Sequence, residues 1–143
     1  MKKIILIVAG VTALLNVSPA QNDTAGWGQK SSYNRHYDVK TVTKIEGEIT
    51  AVEQIMPMKG MSRGVHLTVK SKNESHSVHL GPEWYMKQQN IQFKTGDKVE
   101  VQGSKTTVNE KPVIIAKEII KEGTTLKLRD ENGIPVWAGR GKR

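Results

Sequence analysis

The chain has 143 residues, 22 Lys+Arg against 14 Asp+Glu, a formal net charge of +8 and no cysteine. That length suits one domain, and 36% apolar residues are enough for a core, which excludes disorder throughout. The missing Cys excludes a disulfide scaffold, a thiolate metal site, a Cys nucleophile and a lipidated N-terminal Cys.

Residues 1–20 read as a Sec-type signal peptide. Met1-Lys2-Lys3 is a positive start, Ile4 to Leu15 is an apolar run, and Ser18-Pro19-Ala20 offers small residues to a signal peptidase. The run has twelve residues, short of the roughly 20 needed to span a bilayer. The expectation is a periplasmic or secreted protein with no membrane span after cleavage. Export also dissects the charge. Lys2 and Lys3 leave with the leader, Arg140, Lys142 and Arg143 belong to a Gly-rich end, and residues 21–38 are neutral. Residues 39–137 keep +3, an ordinary mixed surface rather than a nucleic-acid footprint.

Residues 21–38 are polar and lack an apolar period, so they read as a flexible arm. Trp27, Tyr33 and Tyr37 lie dispersed in it, either packing onto the domain or forming part of a binding surface. Residues 138–143 read as a disordered basic tail. Between them the chain alternates as strands do. Residues 41–55 place Ile45, Gly47, Ile49 and Ala51 on one face, with Gly47 marking a bulge or sharp bend. Residues 56–64 are a loop with Pro57, Gly60 and Gly64 as breakers. Strands follow at 65–70 and 75–80, separated by a turn at 71–74. Gly81-Pro82-Glu83 starts a short helix over Trp84–Asn90. A fourth strand spans 98–103, a polar loop 104–111, and a fifth strand 112–120. That last strand has no clear inward face, because Val113-Ile114-Ile115 is continuous. Leu126 and Leu128 begin a further strand, and Asn132-Gly133 turns residues 134–137 back to pair with it as a hairpin.

Three strands, a short helix and two strands make a mainly β fold: a five-stranded OB-type Greek-key barrel, residues 39–137, with one short helix between strands 3 and 4 and a C-terminal β-hairpin extension. Thr95-Gly96-Asp97-Lys98-Val99-Glu100-Val101-Gln102-Gly103 resembles the fourth-strand entry of OB domains. With the leader and the absent Cys, residues 41–121 resemble small exported bacterial OB-fold proteins, including those linked to stress tolerance. Val78 through Tyr85 and Leu126 through Trp137 resemble segments of uncharacterised exported relatives.

Candidate chemistry centres on the second and third strands. Pairing Lys70 with Ser75 sets His66 opposite His79, on the face away from Val65, Leu67, Val69, Val78 and Leu80. Two neighbouring imidazoles could hold a metal, or be polar residues on a solvated face. Met56, Met58 and Met61 lead into that strand, and thioethers suit Cu(I) or Ag(I), or simply fill a loop cluster. This donor set resembles that of periplasmic OB-fold copper carriers, which implies Trp84 as their nearby Trp. Lys59, Arg63, Lys105 and Lys111 fall in loops that rim an OB cleft and form a candidate anionic-ligand rim. The exposed positions of strands 2 and 3 carry no Phe, Tyr or Trp, which disfavours single-stranded nucleic acid. Trp84, Tyr85 and Trp137 read as barrel cover. No nucleophile triad, paired-carboxylate motif or phosphate loop is present. The expectation is a non-enzymatic binding or adaptor module without a cofactor, meeting a protein or small ligand in the cell envelope. The rivals are a Cu(I)/Ag(I) carrier and a binder of anionic polymers or single-stranded nucleic acid.

Overall fold

The computed structural model describes residues 26–138. The expected signal peptide and residues 139–143 of the expected tail lie outside the described residues. The strands are β1 Val42–Ile55, β2 Gly64–Ser71, β3 Glu74–Pro82, β4 Lys98–Val108, β5 Lys111–Lys121 and β6 Thr124–Lys127, with a one-turn helix α1, Glu83–Met86, between β3 and β4. Pairing runs β3-β2-β1-β4-β5-β6, and an additional β3–β5 contact closes the circuit. All ladders are antiparallel except β3–β5. This closed order, with the helix after β3, is the five-stranded OB barrel; β6 widens it beyond β5.

β1 serves two ladders. Residues Val42–Glu48 pair with β4 and Glu48–Ile55 pair with β2, so Glu48 belongs to both. The β4 ladder runs unbroken through Gly47, where the Lys70 carbonyl takes the space of a side chain, and the irregularity of β1 falls later, between Ile49 and Ala51. Three hairpins turn on two residues with positive φ: Lys72-Asn73, Asn109-Glu110 and Glu122-Gly123. Such turns match the twist of the flanking strands. The middle one corrects the expected loop over 104–111. Thr106, Thr107 and Val108 favour extended chain, so β4 runs on to Val108 and Lys105 sits on a strand.

Two further expectations are revised. The helix is one turn, because no side chain caps its start and only Met86 is buried. The C-terminal hairpin is short, with the Val136 amide donating to the Leu128 carbonyl and the Asp130 amide to the Ile134 carbonyl, each at 3.0 Å. Asp130 Oδ1 accepts from the Asn132 and Ile134 amides at 2.8 and 3.0 Å. Beyond it the returning chain makes a single bridge, Arg129↔Pro135, where Pro135 has no N–H to donate.

Two apolar clusters form. Ile49, Leu67, Val69, Val78, Val101, Ile114 and Ile119 belong to the first, inside the barrel. The second lies on the outer face of β5 and joins Val113 and Ile115 to Trp27, Tyr33, Met61 and Val108. Both faces of β5 are therefore covered, which accounts for its unbroken apolar run. Residues 26–38 are accordingly not the loose arm the sequence suggested: Trp27 is 3% exposed and Tyr33 2%. Large aromatic area is what holds this polar segment against the barrel.

Candidate functional site

The register that pairs Lys70 with Ser75 does set His66 opposite His79. Their face is not solvated. His66 is 8% exposed and His79 5%, because the N-terminal segment roofs them. The two imidazoles stack at 3.8 Å between centroids and 11° between planes. Tyr33 continues the stack over His79 at 5.9 Å and 14°, and its hydroxyl meets His79 Nδ1 at 3.0 Å. Trp27 packs edge-on against Tyr33 at 5.1 Å and donates from Nε1 to the Ser62 carbonyl at 3.1 Å. Trp137 closes the roof from the C-terminal side, donating from Nε1 to the Trp27 carbonyl at 2.9 Å.

Burial holds both histidines neutral. Desolvation lowers His66 to about 4. Desolvation, then the nearby His66 and Arg129 charges, lowers His79 to about 3. His66 Nε2 is buried without a hydrogen-bond partner. Behind the roof lies Arg129, 1% exposed. Its Nη1 donates to the Gly133 carbonyl at 3.0 Å and to Asn34 Oδ1. Its guanidinium sits 5.2 Å from the Tyr37 ring and 5.5 Å from the Trp137 ring. Burial pushes Arg129 below its ordinary value, against the opposing pull of Tyr33 and Tyr37. Among the described residues no carboxylate forms an ion pair with it; aromatic faces and amide oxygens take that place.

Beside the roof a cleft of about 450 Å³ stays open, lined by Ile55, Met56, Pro57, His66, Ser77, His79, Val108, Asn109, Lys111, Pro112 and Val113. It brings together only part of the sequence-derived set. Met56, 55% exposed, shares the cleft with both histidines. Met61 is buried in the second cluster, and Met58 packs against it. Of the expected rim, Lys111 lines the cleft and Lys105 a neighbouring groove. Lys59 is exposed in the 56–63 connection, and Arg63 is drawn away to Glu83 at 3.2 Å. Among the described residues no three His, Cys, Asp or Glu side chains are grouped to hold a metal ion. The stacked imidazoles also present their in-plane lone pairs side by side rather than converging on one ion.

Sequence reasoning missed Arg129, which no local pattern marks. Tyr33 could have been found from the spacing of Trp27, Tyr33 and Tyr37 in an otherwise polar stretch. The Tyr33→Phe variant removes one hydrogen bond and strands His79 Nδ1, so it is expected to lose about 1–2 kcal/mol of stability. A urea titration followed by tryptophan fluorescence measures this.

The second OB-fold domain of replication protein A from Methanococcus maripaludis shares 21% identity over 59% of this chain and 86% of that one, with a TM-score of 0.40. A replication protein A heterotrimer bound to single-stranded DNA shares 11% identity over 64% of this chain and 61% of that one, with a TM-score of 0.39. Neither likeness bears on what this chain binds. No curated protein matches the sequence. The profile of the MamS/MamX magnetosome protein family matches residues 41–126, from the entry to β1 as far as β6. The chain belongs to the MamS/MamX magnetosome protein family.

Proposed function

We propose that this protein is an exported, non-enzymatic binding or adaptor module that takes its ligand in the cleft beside His66 and His79. One observation carries the reading. The β2–β3 face, on which OB domains receive ligands, is covered by the chain's own Tyr33 stacked on His79. The adjoining cleft is the part left open, lined by apolar side chains, two neutral imidazoles and Lys111. The leader-like residues 1–20 support an extracytoplasmic setting, as does the resemblance of residues 41–121 to small exported stress-tolerance OB proteins. The occupied face and its lack of free aromatic platforms argue against single-stranded nucleic acid.

A second reading, a Cu(I) or Ag(I) carrier, is favoured by one feature. His66 Nε2 is buried and unpartnered, and Met56 lines the same cleft. A soft monovalent ion would take the imidazole and thioether together, with no proton to displace at neutral pH. Titration with Cu(I) under reducing conditions tests this. Submicromolar binding lost in a His66→Ala/Met56→Ala double variant supports the carrier. No binding, or binding unchanged by the double variant, ends it and leaves an organic or protein ligand. Steeply salt-dependent retention on heparin that survives deletion of residues 138–143 would instead favour an anionic polymer.

A further inference from the structure

The oxidisable rings of this chain stand in one file. All three tryptophans and two of the three tyrosines belong to it. From Trp84 on α1 the ring centroids step 5.9 Å to Tyr85, 5.3 Å to Trp137, 6.0 Å to Trp27 and 5.1 Å to Tyr33. Each step is a ring contact. Tyr33 then stacks over His79, and His79 over His66, both of which line the cleft. The file therefore runs from the helical end of the barrel to the floor of the cleft. The barrel interior is filled without it: the buried residues of the first cluster are all aliphatic or Met.

The protons along the file decide where an electron hole comes to rest. Tunnelling decays steeply with the gap, so rings in contact exchange an electron readily. An indole or phenol that has lost an electron is a strong acid, and the hole is held where a positioned base takes the proton. The three indoles have no such base among the described residues. Trp84 Nε1 is buried without a partner. Trp137 and Trp27 donate from Nε1 to the carbonyls of Trp27 and Ser62, oxygens too weakly basic to take the proton outright. The Arg129 guanidinium, 5.5 Å from the Trp137 ring, further disfavours a resting hole there. Tyr33 differs. Its hydroxyl meets His79 Nδ1 at 3.0 Å, and an imidazole with its hydrogen on Nε2 accepts there. Burial keeps that imidazole neutral, and the nearby Arg129 charge opposes its protonation, so a proton taken up is readily given back.

We propose that the file is an electron relay, in which a one-electron oxidant of the metal-complex class at Trp84 draws an electron from Tyr33 through Tyr85, Trp137 and Trp27 while the phenolic proton of Tyr33 moves to His79 Nδ1. The products are the reduced oxidant, a neutral Tyr33 phenoxyl radical and a His79 imidazolium, so atoms and charge balance. A one-electron reductant, ascorbate in the test, returns the electron, and the proton returns from His79. The relay goes beyond ligand binding and does not depend on what the cleft holds. The chain has no cysteine, so Lys87→Cys, an exposed position just past α1, carries a single ruthenium bipyridyl photo-oxidant on the full chain. Flash oxidation followed by freeze-quench electron paramagnetic resonance should show a tyrosyl radical that ascorbate removes and that is lost in Tyr33→Phe. Taking away the base in His79→Phe should slow its formation at least about a hundredfold. Tyr85→Leu, which breaks the file, should lose most of the signal. Near-ultraviolet circular dichroism checks the roof in each variant, and Tyr33→Phe, which keeps the ring, decides the matter where His79→Phe disturbs it. No tyrosyl radical in the parent, a signal unchanged in Tyr33→Phe, or one formed as fast in His79→Phe or Tyr85→Leu would overturn the proposal.

Discussion

Gly103→Ala is expected to be the most damaging single-methyl change in the barrel. A Cβ at Gly103 would lie 2.2 Å from the Ile115 carbonyl oxygen and 2.7 Å from the Ala116 Cα. Both are backbone atoms of the neighbouring strand, so no rotamer change relieves the clash. The collision falls where the β4–β5 register shifts, between Gln102 and Gly103, and opening the ladder there disturbs the barrel wall itself. Overpacking commonly costs about 1–3 kcal/mol, and a backbone clash belongs at or above the top of that range. Against a typical domain stability of about 5–15 kcal/mol, Gly103→Ala should leave a marginal protein. Gly47→Ala should behave alike, since its Cβ would lie 2.2 Å from the Lys70 carbonyl oxygen. Gly28 has nothing within 4 Å of the same position, and its alanine variant should stay within about 0.5 kcal/mol of the parent. Urea unfolding followed by far-ultraviolet circular dichroism compares the three. A Gly103→Ala midpoint equal to that of Gly28→Ala would show that the wall yields more easily than these distances allow.

The barrel was legible in the sequence because its signals are local. Alternation placed the core strands, but the irregularity expected at Gly47 falls between Ile49 and Ala51, just past Glu48, where β1 passes from one ladder to the next. The His66–His79 pairing followed from a short turn alone, because a hairpin's register is fixed by its loop. What stayed hidden depends on tertiary contact. Asn109-Glu110 makes a tight turn without the glycine that usually announces one, so the sequence pattern ends the fourth strand early and leaves Lys105 in a loop. The N-terminal segment carries no apolar period because three aromatics, not a periodic face, anchor it. For the same reason a face that alternation alone would leave to solvent is a second buried cluster. The methionines show the limit most plainly. All three fall in one loop, yet Met61 is buried and Met56 is exposed, a difference set by where Trp27 lands.

Stability is expected to fall steeply as pH drops from about 6.5 towards 4, and the buried histidine pair sets that window. In the folded chain His66 takes a proton only near 4 and His79 only near 3. Unfolded histidines titrate at about 6.5. Above that pH both states are neutral and the contribution to stability is complete. Below it the unfolded chain binds protons that the folded chain refuses, so acid favours unfolding. Each depressed group contributes a slope of about 1.4 kcal/mol per pH unit, and the pair about 2–3 kcal/mol per unit within the window. The first structure to yield should be the roof. A protonated His79 places a second cation near Arg129, whose charge already lowers its pKa. Urea midpoints at about pH 7, 6 and 5 measure the slope, with tryptophan fluorescence reporting Trp27 and Trp137. In a His79→Phe variant one stacking ring remains and one titrating group is gone, so the slope should fall by about half. Equal midpoints at pH 7 and 5, or an undiminished slope in His79→Phe, would mean that the pair is hydrated or proton-bound in the folded protein and that the roof does not seal it.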